Sequence, residues 1–197
     1  FNFSPNGINY DSEKVQRFIE KNRDHLSIGI TIDGTERKHD LNRVYKNSGS
    51  GSYKDVVRNI PLWQSQFPGD STKVTISSAD IPYICESVLH LYRLGIHDVF
   101  INCVFENVWS EGDDILFEEQ LILLADTIID DELYKDYSCS VFAEKHVGKA
   151  MDCQLQNQNW CGAGKMLAVD AVGNFYPCTR FAQYSLRHKE AWIIGNV

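Results

Sequence analysis

Short apolar runs alternate with longer segments of helical periodicity along the first 130 residues of the chain. The short runs have the period-two pattern of β-strands, and the longer segments place apolar residues three or four positions apart, as amphipathic helices do. Strands that alternate with helices predict βαβ units and a parallel sheet, and therefore an α/β fold. The predicted strands cover residues 1–4, 27–33, 73–77 and 98–104, and the predicted helices cover residues 12–22, 53–66, 81–94 and 115–129.

The two faces of the predicted strands differ in polarity, because successive side chains point to opposite sides of a sheet. A parallel sheet covered by helices on both sides should be apolar on both faces. One apolar and one polar face indicate instead a partial (β/α) barrel of about four βα units, whose lumen holds a polar ligand at the carboxyl ends of the strands. In the second strand Ile28, Ile30 and Ile32 oppose Ser27, Gly29, Thr31 and Asp33, and the later strand ends carry Ser77 and Asn102.

The alternation ends near residue 130, and we divide the chain into barrel residues 1–130, a connecting region 131–159 and a small domain 160–197. Two short apolar runs in the last part flank Gly173 and Asn174, a pair typical of a two-residue β-hairpin turn. Pairing about that turn places Cys178 near Val169, and glycines after Cys161 allow that residue to fold back toward the same end. Two thiols at one end of a hairpin are half of a metal or iron–sulfur site, or two thiols without a ligand.

Composition excludes several classes of partner. The chain of 197 residues has a formal net charge of -8 and no basic block, which argues against nucleic acid or an anionic membrane as its partner. No apolar run approaches the roughly 20 residues that span a bilayer. Six cysteines at uneven spacing do not suggest a disulfide scaffold, so we expect a reducing cytoplasm. Cys85, Cys103 and Cys139 are predicted to be buried as small apolar side chains.

Several local patterns, in order, resemble radical SAM enzymes that carry a SPASM domain. Residues 31–43, TIDGTERKHDLNR, resemble the S-x-D-G…H-D-x-x-R segment that follows the fourth barrel strand of that family. Residues 4–7, SPNG, resemble its T-N-G, and residues 49–60 are similar to its G-x-G-S-[FY] helix entry. Cys161 and Cys178, with Gly173 between them, have a spacing similar to the C-x(9–15)-G-x4-C opening of SPASM domains, whose cysteines hold auxiliary 4Fe-4S clusters. The resemblance covers nearly the whole chain.

Two patterns of that family do not occur in the sequence. These are the C-x3-C-x2-C motif of the SAM-cleaving cluster and the G-G-E-P stretch that cradles the SAM amino group. In the family both precede the segment that resembles Phe1 and its neighbours. We therefore expect this chain to be a piece of a longer protein, inactive in SAM cleavage by itself.

The resemblance implies a set of cofactor-binding residues, and several have a simpler structural interpretation. Arg43 would pair with the SAM carboxylate, and Thr31 would contact the ribose or carboxylate, although a solvated arginine and an ordinary strand threonine fit equally well. Asp33 suits a turn as well as it suits a ligand. We expect His39 and Asp40 to be structural. The complete cofactor-binding set is Asn6, Thr31, Asp33, Arg43, Ser77 and Asn102, and the predicted metal ligands are Cys161 and Cys178.

The resemblance also implies the function of the parent protein. It would bind SAM and a reduced 4Fe-4S cluster, and generate a 5′-deoxyadenosyl radical that abstracts hydrogen from a peptide or protein side chain. Such chemistry produces thioether or related cross-links in ribosomally made peptides, or oxidises Cys or Ser. Two other interpretations stay open: a (β/α) enzyme with structural zinc, and a non-catalytic, degenerate barrel that binds peptides.

Overall fold

The computed structural model describes residues 1–143, 167–182 and 190–197, and it separates into two compact units, Phe1–Gly148 and Lys149–Val197. The strands of the first unit are β1 Asn2–Phe3, β2 Ser27–Ile28, β3 Thr72–Ile76, β4 Asp98–Cys103 and β5 Ser138–Cys139. Its helices are α1 Glu13–Asn22, α2 Glu36–Asn42, α3 Tyr53–Val57, α4 Ile60–Gln66, α5 Ile84–Arg93 and α6 Asp113–Asp130. The strands of the second unit are β6 Ala168–Val169, β7 Asn174–Tyr176 and β8 Gly195–Asn196.

The first unit has a parallel sheet whose strands follow the order of the chain, as predicted. β1 pairs with β2, and β3 pairs with β4, which pairs with β5, all in parallel. A single parallel bridge between Thr31 and Lys73 joins the two groups of strands. Among the described residues no pairing closes this series into a barrel. β5 lies within the segment that the sequence suggests as a connecting region.

The β2–β3 seam, between residues 27–32 and 70–73, is held together largely by side chains. The amide of Ile28 donates to Oδ2 of Asp70 at 2.8 Å. The hydroxyl of Thr72 donates to the carbonyl of Ile30 at 2.6 Å and accepts from the amide of Ile32 at 3.2 Å. These bonds take the place of a continuous backbone ladder, and β2 therefore ends as a regular strand after two residues.

The alternation of the strands is visible in their burial. The isoleucines at positions 28, 30 and 32 are buried against the helices, together with Val74 and Ile76 of β3. Between them Lys73 is exposed, and Thr75 is partly exposed. Burial of this apolar face stabilises the unit by about 25 cal/mol for each Å² removed from water. The opposite face is left to polar side chains.

The helices differ from their predictions in three places. Residues 36–42 form a helix that apolar periodicity does not predict, with Thr35 as its N-cap, whose side chain accepts from the amide of Lys38. The helix predicted over residues 53–66 is divided at Asn59, whose amide donates to the carbonyls of Gly7 and Ile8.

The third difference is at the start of the helix predicted over residues 81–94, where a 3₁₀ helix, Ser78–Tyr83, precedes α5. Ser77 is its N-cap, and Asp80 is its third residue, whose side chain accepts from the amide of Ser77. The end of α5 is as predicted. Gly95, at a φ of 76°, donates to the carbonyl of Tyr92, and Ile96 donates to that of Leu91, as in a Schellman cap.

The predicted burial of the cysteines holds for Cys85 and Cys139, which are buried and free, and is wrong for Cys103, which is exposed. The reason lies in the short strand β5, which pairs only with Asp98 and Val99 of β4. Asn102 and Cys103, the last two residues of β4, extend beyond the part of β4 that pairs with β5, and both are exposed.

The second unit contains an antiparallel hairpin, as predicted, but its register is different. Ala168 pairs with Tyr176 and Val169 pairs with Phe175, so Cys178 does not lie opposite Val169. The carboxylate of Asp170 shifts the turn, because it accepts hydrogen bonds from the amides of Val172 and Asn174 and from the hydroxyl of Tyr176. β8 pairs with the other edge of β7.

Candidate functional site

An ionic cluster lies at the carboxyl ends of β2 and β3, where the resemblance places a SAM site. Asp33 is buried at its centre. Its Oδ1 accepts from the amide of Thr75 at 2.8 Å, and its Oδ2 accepts from Nε of Arg43. The aspartate therefore binds β3 and the arginine at the same time. These contacts go beyond the turn-forming role that the sequence also allowed for Asp33.

Lys38 is the cation at the bottom of this cluster, and its side chain is only 1% exposed. Its Nζ donates to the carbonyl of Thr75 at 2.5 Å, and lies 3.6 Å from Oδ1 of Asp80 and 4.0 Å from Oδ1 of Asp33. Burial lowers the pKa of Lys38, while the two carboxylates oppose that shift. The sequence did not suggest Lys38, because a buried lysine has no signature in apolar periodicity.

Asp80 completes the cluster from the 3₁₀ helix that follows β3. Its Oδ2 accepts from the amide of Ser77 at 2.8 Å and from the hydroxyl of Ser77 at 2.6 Å. Its Oδ1 accepts from the side-chain amide of Asn42 at 3.3 Å. The hydroxyl of Ser77, one of the predicted cofactor contacts, is thus donated to Asp80.

His39 connects the cluster to the loop that follows α2. Its Nδ1 accepts from the amide of Asp33 at 3.1 Å, so its Nε2 carries the proton that faces Oγ of Ser52 at 3.1 Å. The hydroxyl of Ser52 in turn donates to the carbonyl of Arg43 at 2.9 Å. Burial lowers the pKa of His39 to about 4, and the ring is therefore neutral at physiological pH.

Asp40 has the structural role that the sequence suggested for it. Its Oδ1 accepts from the amide of Tyr53 at 3.0 Å, which joins α2 to the first turn of α3. Gly51 lies against the same carboxylate, and a Cβ at that position would overlap it. Asp40 and His39 together determine the path of residues 43–53.

A groove of about 220 Å³ opens above Arg43. The side chain of Arg43 is 30% exposed, and its Nε is bound to Asp33. Its two terminal nitrogens have no hydrogen-bond partner among the residues that the structure describes, which leaves a planar pair of donors for a carboxylate. The residues lining the groove are Asn6, Ile8, Asn42, Arg43, Val44, Tyr45 and Ser52.

Of the six predicted cofactor-binding residues, two line this groove and one supports it. Asn6 and Arg43 line it, although Oδ1 of Asn6 also accepts from the amide of Ile8 at 3.2 Å, a turn contact. Asp33 acts through Arg43. Thr31 is buried at the bridge to Lys73 and, like Ser77, lies outside the lining of the groove. Asn102 is exposed on β4, opposite Thr75.

One of the two predicted metal ligands lies among the residues that the structure describes. Cys161 lies outside the described residues. Cys178 is buried and free, and its sulfur accepts from the amide of Arg180 at 3.4 Å at the start of a 3₁₀ turn. Within residues 1–143, 167–182 and 190–197, no three side chains of metal-binding type are grouped closely enough to hold an ion.

No family model and no curated protein matches the sequence of the chain. Solved structures match its fold over 100% of the chain at 19% sequence identity. They include anSMEcpe, an anaerobic sulfatase-maturating enzyme of the radical SAM SPASM type, with bound AdoMet, as a hexahistidine-tagged form (TM-score 0.69) and as the native protein (TM-score 0.68).

A further match is native anSMEcpe with bound AdoMet and the Cp18Cys peptide, at a TM-score of 0.68. The chain covers 51% to 54% of these structures, and so spans about half of their length. The fold of the chain is therefore similar to that of about half of anSMEcpe.

Proposed function

We propose that the chain is a fragment of a radical SAM enzyme with a SPASM domain, and that the parent enzyme modifies a peptide or protein side chain. The observation that carries this proposal is the fold likeness, over the whole chain, to an enzyme with bound AdoMet. Its sequence motifs independently resemble the same family, and the likeness is therefore not based on backbone shape alone. The cluster around Asp33 lies where (β/α) proteins bind their ligands, at the carboxyl ends of the strands.

Arg43 is the residue that we assign to the SAM carboxylate. Its terminal nitrogens, which have no partner within the described ranges, suit a bidentate contact. Asp33 holds the guanidinium by Nε, and Arg43 lines the groove. Asn6, which also lines the groove, is proposed as a second cofactor contact. Thr31, Ser77 and Asn102 are proposed to contact other parts of the cofactor, with Ser77 acting by its position beside Asp80.

When SAM is bound beside a reduced 4Fe-4S cluster, the pair supplies a 5′-deoxyadenosyl radical for hydrogen abstraction. The residues of this chain bind and orient the cofactor. Neutral His39 and the paired charges of the cluster keep Arg43 in one position before the cofactor arrives. Cys161 and Cys178 are proposed as ligands of an auxiliary cluster.

A peptide is the proposed substrate class, because anSMEcpe has been solved with the Cp18Cys and Kp18Cys peptides. We propose the cytoplasm as its compartment, where thiols such as Cys85, Cys139 and Cys178 stay reduced. No helix in the described ranges is both long and apolar enough to cross a membrane. We propose neither nucleic acid nor membrane as a partner, given the net charge of -8.

The full-length protein, purified without oxygen, provides the test. We expect iron and sulfide in stoichiometric amounts and formation of 5′-deoxyadenosine from SAM when a reductant is added. The double variant Cys161→Ala, Cys178→Ala should keep SAM cleavage and contain less iron. Iron content equal to that of the unaltered protein would exclude the auxiliary cluster, and absence of both iron and SAM cleavage would exclude the radical SAM function. A stoichiometric zinc content would support the structural-zinc alternative.

A further inference from the structure

A second cavity, of about 470 Å³, lies at the carboxyl end of β4, at the same edge of the sheet as the ionic cluster. Its volume is within the range of ~300–1,000 Å³ that is usual for ligand sites. It is formed by the end of β4, the loop of residues 104–112 and the first two turns of α6. The lining residues are Cys103, Trp109, Ser110, Asp113, Asp114 and Phe117.

The walls of this cavity are held in place by hydrogen bonds within the loop. Nε1 of Trp109 donates to the carbonyl of Val104 at 3.2 Å, which fixes the indole ring at the cavity wall. The amide of Ser110 donates to Oδ2 of Asp113 at 2.7 Å. The hydroxyl of Ser78 donates to that of Ser110 at 3.4 Å and connects the loop to the 3₁₀ helix that carries Asp80.

The cavity lies in the most acidic part of the chain. Between Arg93 and Lys135 the sequence has eleven carboxylates and no lysine or arginine. Asp113 is used by the amide of Ser110, but the exposed Asp114 has no hydrogen-bond or ion-pair partner among the described residues. Acidic residues in a first turn also interact favourably with the helix dipole. The dipole does not account for the aromatic wall beside them.

We propose that this cavity binds a lysine or arginine side chain of the peptide substrate. The inference rests on the proposed function for the identity of the peptide. The aliphatic part of a basic side chain would lie along Phe117 and Trp109, the cationic group would approach the indole face, and Asp114 would provide the opposite charge. A neutral apolar side chain would fill the same space but would leave Asp114 without a partner.

The test uses the full chain and two small probes, N-acetyl-lysine methylamide and N-acetyl-norleucine methylamide, which differ mainly by the ammonium group. Binding is followed by the NMR shift of the Trp109 indole N–H, assigned by its absence from Trp109→Phe. We expect the lysine probe to bind about tenfold more tightly than the norleucine probe, a preference that salt weakens. The corresponding arginine probe should bind like the lysine probe.

Asp114→Asn should abolish the preference for lysine. Asp126 is an exposed carboxylate about three turns further along α6. Asp126→Asn is therefore the matched control and should leave the preference unchanged. Equal binding of the two probes, or no saturable shift with either, would overturn the proposal on the unaltered chain, whatever the variants do. Loss of the lysine preference in both variants would also contradict it, since the effect would then be one of net charge.

The assay contains neither SAM nor iron, so it separates this inference from the proposed function. A chain that binds lysine but lacks iron and SAM cleavage in its full-length form would keep the cavity and lose the radical SAM assignment. A protein that contains iron and cleaves SAM, but whose chain does not prefer the lysine probe, would keep the radical SAM assignment. It would exclude a basic side chain as the part of the substrate that this cavity binds.

Discussion

The ammonium group of Lys38 lies 3.6 Å from Oδ1 of Asp80, and both side chains are almost completely withdrawn from water. Oδ1 of Asp33 lies 4.0 Å from the same ammonium group, and Arg43 pairs with Asp33. Two acidic and two basic side chains therefore compensate one another at the carboxyl edge of the sheet. Since buried ions are costly unless they are paired, each member of this cluster depends on the others.

Replacement of Lys38 by methionine should destabilise the fold strongly. The side chain keeps a similar length, but Asp80 and Asp33 lose a buried counter-charge, and breaking such a pair costs about 3–5 kcal/mol. The measurement is the free energy of unfolding in urea. Lys54→Met is the control, because Lys54 pairs with Glu36 on the surface and should cost less than about 1 kcal/mol. Similar losses for the two variants would contradict a buried ionic cluster.

The neutral His39 should make stability depend on pH. Burial lowers its pKa to about 4 in the folded chain, whereas an unfolded histidine has a pKa of about 6.5. Between these values the unfolded chain binds more protons, so stability is complete above about pH 6.5 and falls as the pH falls toward 4. From about pH 7.5 to about pH 5 the loss due to His39 should be about 2 kcal/mol.

His39→Gln keeps a polar side chain that does not titrate, and it should remove this part of the pH dependence. The comparison is between urea unfolding curves of the two proteins at both pH values. Burial also lowers the pKa of His90, which acts in the same direction, but that contribution is common to both proteins and cancels. An unchanged slope in the variant would show that His39 does not titrate as described.

The assignment of Arg43 can be tested with the cofactor and with a SAM analogue that lacks the carboxylate. In the full-length protein, Arg43→Ala should weaken SAM binding by about 1–3 kcal/mol, as for one charge-assisted hydrogen bond lost. The same substitution should have little effect on binding of the analogue. Calorimetry measures both affinities, and an equal loss for the two ligands would assign Arg43 to folding instead of to the carboxylate.

Arg37→Ala is the matched control for this measurement. Arg37 lies in helix α2, which ends next to Arg43, and it is exposed. Its guanidinium lies 4.7 Å above the ring of Tyr83 instead of in the groove. Its removal should leave the SAM affinity unchanged.

Gly34 directly follows Asp33 of the ionic cluster and lies in close contact with Ser87 of α5. Its φ is 124°, and a Cβ at this position would lie 2.2 Å from Cβ of Ser87. Gly34→Ala should therefore cost about 2–4 kcal/mol, from backbone strain and overpacking together, as read from thermal unfolding. Gly49 also has a positive φ but has open space around it. Gly49→Ala should therefore lower the free energy of unfolding by only about 1 kcal/mol. Equal costs would mean that contact with Ser87 is not limiting.

The sequence predicted the parallel sheet and the two faces of residues 27–33 and 73–77, because alternation with a period of two is a local signal. It did not predict the exposure of Cys103 at the end of β4. It did not predict helix α2, since the residues that hold this helix in place, Lys38 and His39, are polar. Their burial depends on partners such as Asp80, 42 residues further along the chain. Local periodicity has no information about such pairs.

The same distinction applies to the candidate site and to the hairpin. Asn6 and Arg43 do line one groove, and the resemblance pointed to both. The contacts that orient Arg43 come from tertiary structure and could not be deduced from spacing. In the hairpin, Gly173 and Asn174 predicted a two-residue turn. Hydrogen bonds from the amides of Val172 and Asn174 to the side chain of Asp170 stabilise a turn of different position and register instead.

The β2–β3 seam has a consequence for motion. Because the amides of Ile28 and Ile32 donate to the side chains of Asp70 and Thr72, either bond can break by a single side-chain rotation, without unpairing a strand. Hydrogen exchange at these two amides should be faster than within the continuous β3–β4 ladder. We therefore expect the pair β1–β2 to move relative to β3, β4 and β5 more easily than strands move within either group. The ion pairs of Lys38 with Asp33 and Asp80 would limit that motion at the carboxyl end of the sheet.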